Sequence, residues 1–146
     1  MSNVNEQLSM TGHLQIHLND ELVHDIPNLV VTAGKGFVAS RMIGTSAGVM
    51  SHMEVGTGTT DPAAGDTALQ SAVSGSRTAF TSSASVSGAV VTYVTTFAAG
   101  TGTGALTEAG IFNASSSGTM LCRTEFSVVN KGAADSMTIT WTVTVS

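Results

Sequence analysis

The stretch 137–145 constrains the fold most tightly. Met137, Ile139, Trp141, Val143 and Val145 alternate strictly with Thr138, Thr140, Thr142 and Thr144. A period of two puts every apolar group on one side of an extended chain and every threonine on the other, the pattern of a half-buried β-strand. The threonine side is the outer one. Residues 120–128 behave similarly, with Met120, Cys122, Phe126 and Val128 opposed to Arg123, Glu125 and Ser127. Between the two runs, Asn130, Lys131 and Gly132 supply turn chemistry for an antiparallel return.

Upstream the same reading gives strands at 89–97, 78–86, 49–55 and, more briefly, 108–112. Ser87-Gly88 separates the first two as a two-residue hairpin loop would. Near the front, residues 13–18 alternate, Asn19-Asp20 turn and residues 21–25 return, a hairpin over 13–25 that precedes Pro27. Thr32 then offers an N-cap for one short helix over 33–43, closed by Gly44. Residues 1–12 show no period and read as an extended arm. The expectation is therefore an all-β chain: an arm at 1–12 and a single domain at 13–146, an antiparallel β-sandwich or jelly roll with one short helix. The stretches 56–67 and 98–107 are long enough to be exposed loops that carry contacts.

Composition narrows the function classes. Of 146 residues only 10% are charged, five Lys and Arg stand against ten Asp and Glu, and Thr, Ser, Ala and Gly fill about half of the chain. A net charge of −5 with no basic run leaves no electrostatic footprint for a phosphate backbone, so direct nucleic-acid binding is not expected. The polar first ten residues lack the pattern of a secretory signal, and no run of 18 apolar residues exists, so the expected site of synthesis is the cytoplasm, with no membrane contact. One cysteine, Cys122, cannot form an internal disulfide and reads as a small core residue.

Motifs that would carry chemistry are incomplete. Gly34-Lys35-Gly36 lacks the earlier glycine and the Ser or Thr after the lysine that a phosphate loop needs. Gly100, Gly102 and Gly104 precede a strand, where a dinucleotide fingerprint must open a helix. Glu108 and Glu125 are a nominal carboxylate pair, but Glu125 falls on the polar side of its strand. Asn113-Ala114-Ser115 matches a glycosylation sequon without a secretory context, and no G-x-S-x-G stands in the chain. The hairpin offers one cluster: with Leu18 opposite Glu21, His13, His17 and His24 share a face, where they could hold a divalent metal or line an interface. No cysteine or carboxylate completes a ligand set, so no metal, cofactor or catalytic residue is expected.

Several segments, taken in order, resemble small virion structural proteins of tailed bacteriophages. They are Asn28-Leu29-Val30-Val31-Thr32-Ala33-Gly34-Lys35, Val55-Gly56-Thr57-Gly58-Thr59-Thr60-Asp61-Pro62 and Gly65-Asp66-Thr67-Ala68-Leu69. Glu108-Ala109-Gly110-Ile111-Phe112, Gly118-Thr119-Met120-Leu121-Cys122-Arg123 and the threonine-alternating strand continue the series, so the resemblance spans about residues 28 to 146. Such sequences occur in capsid decoration (cement) proteins and in tail or fibre proteins. The chain's size and N-terminal arm are most similar to the decoration type, which implies a non-enzymatic β-sandwich or jelly-roll protein, homotrimeric, on the outer capsid surface of the virion. The implied partner is the major capsid protein, whose neighbouring subunits it would bridge. A tail, collar or fibre-attachment protein is the alternative, and a sugar-binding surface module a third reading, thinly supplied with one Trp and one Tyr. Val4, Leu8 and Met10, apolar residues in a polar arm, are the candidate partner-binding positions.

Overall fold

The computed structural model describes residues 6–44 and 48–146. In chain order it holds β1 (Met10–Leu18), β2 (Glu21–Val30), α1 (Thr32–Arg41), β3 (His52–Gly56), β4 (Thr78–Ala79), β5 (Ser82–Ser87), β6 (Val90–Phe97), β7 (Gly104–Phe112), β8 (Met120–Lys131) and β9 (Met137–Val145). These strands form one sheet in the order β4-β3-β7-β8-β2-β1-β9-β6-β5, and every neighbouring pair is antiparallel. The expected all-β class with one helix is what the described residues show.

The sheet is curled, for two local reasons. At one corner β2 pairs with β8 only through Leu29 opposite Arg123 and Val30 opposite Cys122. Two residues before Leu29, Pro27 has no N–H to give to β8, and its carbonyl accepts a bond from the Thr124 hydroxyl. The two halves of the sheet part there. At the far side, residues 78–87 touch both ends of the sheet: β4 pairs with β3, Phe80 N–H donates to the Ser51 carbonyl at 2.9 Å, Thr81 N–H donates to Val94 at 3.0 Å, and β5 pairs with β6. The larger of two buried apolar clusters draws on both halves of the sheet, and the smaller joins Val31, Leu69, Phe112 and Met120. Leu14, Ile16, Met53, Val55, Phe97, Ile111, Ile139 and Trp141 are fully buried in the larger one, and burying each such side chain contributes roughly 1.5–3 kcal/mol.

The strand at 137–145 stands as the alternation requires, with Met137, Ile139, Trp141 and Val143 in the core. Other boundaries move. β1 begins at Met10, because Met10 to Gly12 already pair with Val145 to Val143. The expected strand 78–86 is broken into β4 and β5, since its two halves serve opposite ends of the sheet and Phe80 between them turns onto the core, 5.1 Å from the Tyr93 ring. The hairpin loop after β5 is Gly88-Ala89 rather than Ser87-Gly88, and Gly88 takes the positive φ of 59° that suits glycine. β8 runs on to Lys131, and the turn follows at Gly132, whose N–H is held by the Asp135 carboxylate. An irregularity between Leu106 and Glu108 shifts the alternation of β8, so Val129 is buried and Val128 exposed.

The helix starts at Thr32 with Val31 at the capping position, so the expected Thr32 cap is not made. Thr32 N–H instead donates to the Ala64 carbonyl at 2.8 Å. Gly34 fixes how the helix lies on the sheet. A Cβ there would stand 2.1 Å from the Leu121 carbonyl oxygen, so only glycine permits this approach to β8. Gly34 of the Gly34-Lys35-Gly36 run therefore has a packing explanation.

Candidate functional site

A salt-bridge node lies at β7 and β8 under the loop 57–72. Glu108 is fully buried, and its Oε1 accepts from Arg123 Nε at 3.1 Å, Arg123 Nη2 at 3.0 Å and Gln70 N–H at 2.9 Å. Its Oε2 accepts from Gly58 and Ser71 N–H, each at 2.7 Å. Arg123, equally buried, donates Nη1 to Asp66 at 3.1 Å and Nη2 to the Thr60 carbonyl at 3.0 Å. Two charges taken out of water are costly, and here each is met by its counter-ion and by further hydrogen bonds, the condition under which such a pair persists.

The node explains the glycines of 55–58. A Cβ on Gly56 or Gly58 would come within 2.6 Å or 2.4 Å of Glu108 Oε2, so both positions must stay bare for the carboxylate to reach the loop backbone. Gln70 Oε1 accepts from Thr59 and Thr60 N–H, and Asp66 accepts from Ala63 N–H, which complete the loop. Residues from 55–62, 65–69, 108–112 and 118–123, dispersed in the sequence, thus meet in one place. Their chemistry is that of a clamp. Glu108 has all its acceptor capacity committed, and Glu125, directly opposite it in the register, lies on the same sheet face as Arg123. The two glutamates do not flank an open cleft.

The histidines separate. Leu18 does stand opposite Glu21 as expected, but a bulge places Ile16 opposite His24, with Val23 as the extra residue. His24 is thereby turned to the side of Ile16, away from His13 and His17. Its Nε2 donates to the Ser127 carbonyl at 2.7 Å and its ring tilts over Phe126 at 5.5 Å, bridging the parted β2 and β8. His13 on the outer face meets the Asp25 carboxylate. Among the described residues no group of three or more His, Cys, Asp or Glu is placed to hold a metal ion. Cys122 is fully buried, which pushes its thiol pKa up. Trp141 is fully buried in the core, out of reach of a stacking sugar ring.

What remains is a surface. Leu8, Ser9 and Met10 on one side and Lys35, Val38, Ala39 and Met42 of α1 and its end on the other enclose a groove of about 340 Å³. Leu8 is 77% exposed, Met42 87% and Ile43 84%. Large apolar side chains this open, grouped rather than scattered, mark contact surfaces. Leu8 and Met10 were candidate partner residues from the sequence, and both line this groove; Val4 lies outside the described residues. Sequence reasoning missed the α1 side, because Met42 and Ile43 continue a helix-like run and nothing local shows that the helix stops at Arg41.

The groove also carries a positive charge, that of Lys35. Arg77 stacks 3.7 Å over the Phe112 ring and pairs with Glu54, Arg123 is in the node, and buried Lys131 donates to the Ala98 carbonyl at 3.0 Å. Lys35 is exposed on α1 and lines the groove. No helix among the described residues is long and apolar enough to cross a membrane. Compared with protein-family models, curated proteins and solved structures, this chain matches none.

Proposed function

We propose that this chain is a non-enzymatic virion protein of the capsid decoration type, which binds the outer surface of a phage shell, bridges neighbouring major capsid subunits and stiffens the shell. The observation that carries this reading is the apolar groove beside α1, with Leu8, Met42 and Ile43 presented to solvent on an otherwise weakly charged molecule. A surface with few ions has little to desolvate on assembly, and many modest contacts repeated over a shell add up through multivalency. The virion assignment itself rests on the ordered resemblance of residues 28 to 146. Four of the six resembling segments each contribute at least one residue to the Glu108–Arg123 node, which gives them a shared structural purpose and supports a scaffold role over a catalytic one. On this reading the curled sheet is a sandwich-like domain, associating symmetrically with copies of itself.

Mixing the purified chain with undecorated shells and sedimenting them tests the proposal. The expected result is saturable binding at hundreds of copies per particle. Saturation at a few or a few dozen copies would place the protein in the tail or collar instead, and no binding would overturn the virion reading.

A further inference from the structure

The groove beside α1 and the tip of the β1–β2 hairpin are complementary and lie at opposite ends of one strand. Met10 opens β1 at the groove, and Leu18 ends it at the tip. At a rise of roughly 3.3 Å per residue the nine residues of β1 separate them by about 26 Å. The groove end is apolar and basic, with exposed Leu8 and Met42 lining it together with exposed Lys35. The tip is apolar and acidic. Asp20 and Glu21 are exposed there, Leu22 is 49% and Val23 37% exposed, and Asn19 ties the Asp135 carboxylate to the same end through a 2.9 Å hydrogen bond.

We propose that the groove receives the hairpin tip of a second copy of this chain, with Leu22 and Val23 against Met42 and Leu8 and the carboxylates of Asp20 and Glu21 facing Lys35. The occupant is a second copy because this chain itself presents the matching chemistry: exposed aliphatic groups next to acid, answering exposed aliphatic groups next to base. The tip is also held in shape before it binds. Asn19 and Asp20 take left-handed φ values of 48° and 69° in the tight turn, and Ser136 N–H donates to Asn19 Oδ1 at 3.0 Å, so little ordering cost remains. A contact between two different patches is heterologous, and head-to-tail repetition closes into a ring when the rotation permits. The inference deepens the self-association part of the proposed function and does not depend on any shell.

The test uses the whole chain without capsids. Sedimentation equilibrium should give a mass above that of the 14.8 kDa monomer. Lys35→Glu in the groove, or Asp20→Asn with Glu21→Lys at the tip, should each weaken association at least about tenfold with unchanged melting, and Met42→Asp should do the same. The two charge-altered proteins, each weakly associating alone, should associate when mixed, because each then offers the other a matching groove or tip. A chain carrying Leu22→Cys and Met42→Cys should form intermolecular disulfides under oxidation, since Cys122 is buried. A wild-type chain that stays monomeric at high concentration overturns the proposal, as does an oligomer untouched by these changes or a mixture that fails to recover. Loss of shell binding in Lys35→Glu from a wild-type monomer would assign the groove to a shell segment, again against this proposal.

Discussion

Glu108 and Arg123, fifteen residues apart on adjacent strands, are joined with their charges sealed from solvent: both Nε and Nη2 of the guanidinium reach the same carboxylate oxygen, at 3.1 and 3.0 Å. The pair is the means by which the long loop 57–72 is held on β7 and β8. Removing one partner leaves the other charge buried and alone. Arg123→Ala or Glu108→Ala is expected to cost about 3–5 kcal/mol in urea unfolding. The double replacement should cost clearly less than the sum of the two, and strict additivity would show that the pair does not act as a unit.

Gly34 is a second structural requirement. The 2.1 Å approach of its would-be Cβ to the Leu121 carbonyl leaves no flexible atom to yield. Gly34→Ala should destabilise by about 1–3 kcal/mol despite alanine's better helix propensity. Gly36, with nothing within 4 Å of an added Cβ, is the control. Gly36→Ala should be neutral or stabilising when the two melting temperatures are compared.

Much of this architecture is legible in the sequence, and the failures have physical causes. The alternation of 137–145 and the Asn19-Asp20 turn determine their elements locally, so both stand as read. The bulge at Val23 leaves no compositional mark, yet one extra residue sends His24 to the opposite face and dissolves the apparent histidine cluster. The break between β4 and β5 depends on two partners distant in sequence. The Glu108–Arg123 node also had a signal that local reading undervalued: Arg123 directly follows Leu121-Cys122, and a charge in so apolar a strand has to find a counter-ion. The glycines at 56 and 58 point to the same place once a bulky carboxylate is known to need the room.

The turn after β8 should give the fold a specific acid sensitivity. Asp135 has its pKa held below the usual 3.8, first by the hydrogen bond from Asn19 and then by that from Gly132 N–H. A carboxylate whose folded pKa is depressed stabilises the fold above its unfolded value, and that contribution is lost as pH falls through the folded value. Wild type should melt higher than Asp135→Asn near neutral pH, and the difference should vanish as the pH drops below 3.8. A difference that is independent of pH would refute this linkage.

Tyr93 gives an alkaline counterpart. Burial, with a smaller contribution from Cys122, pushes its phenol from 10.0 up to about 12. It is the single tyrosine, so absorbance near 295 nm reports it alone. The native protein should titrate at about 12 and the urea-unfolded chain at 10.0. Since the unfolded chain ionises first, stability should fall as pH rises across that interval.

A chain that strengthens a shell by binding it is revealed most directly by heating shells with and without the bound protein. Decorated shells should release their contents at a higher temperature, and Met42→Asp, folded but altered at the groove, should give back part or all of that gain. Equal disruption temperatures for bare and fully decorated shells would contradict that strengthening.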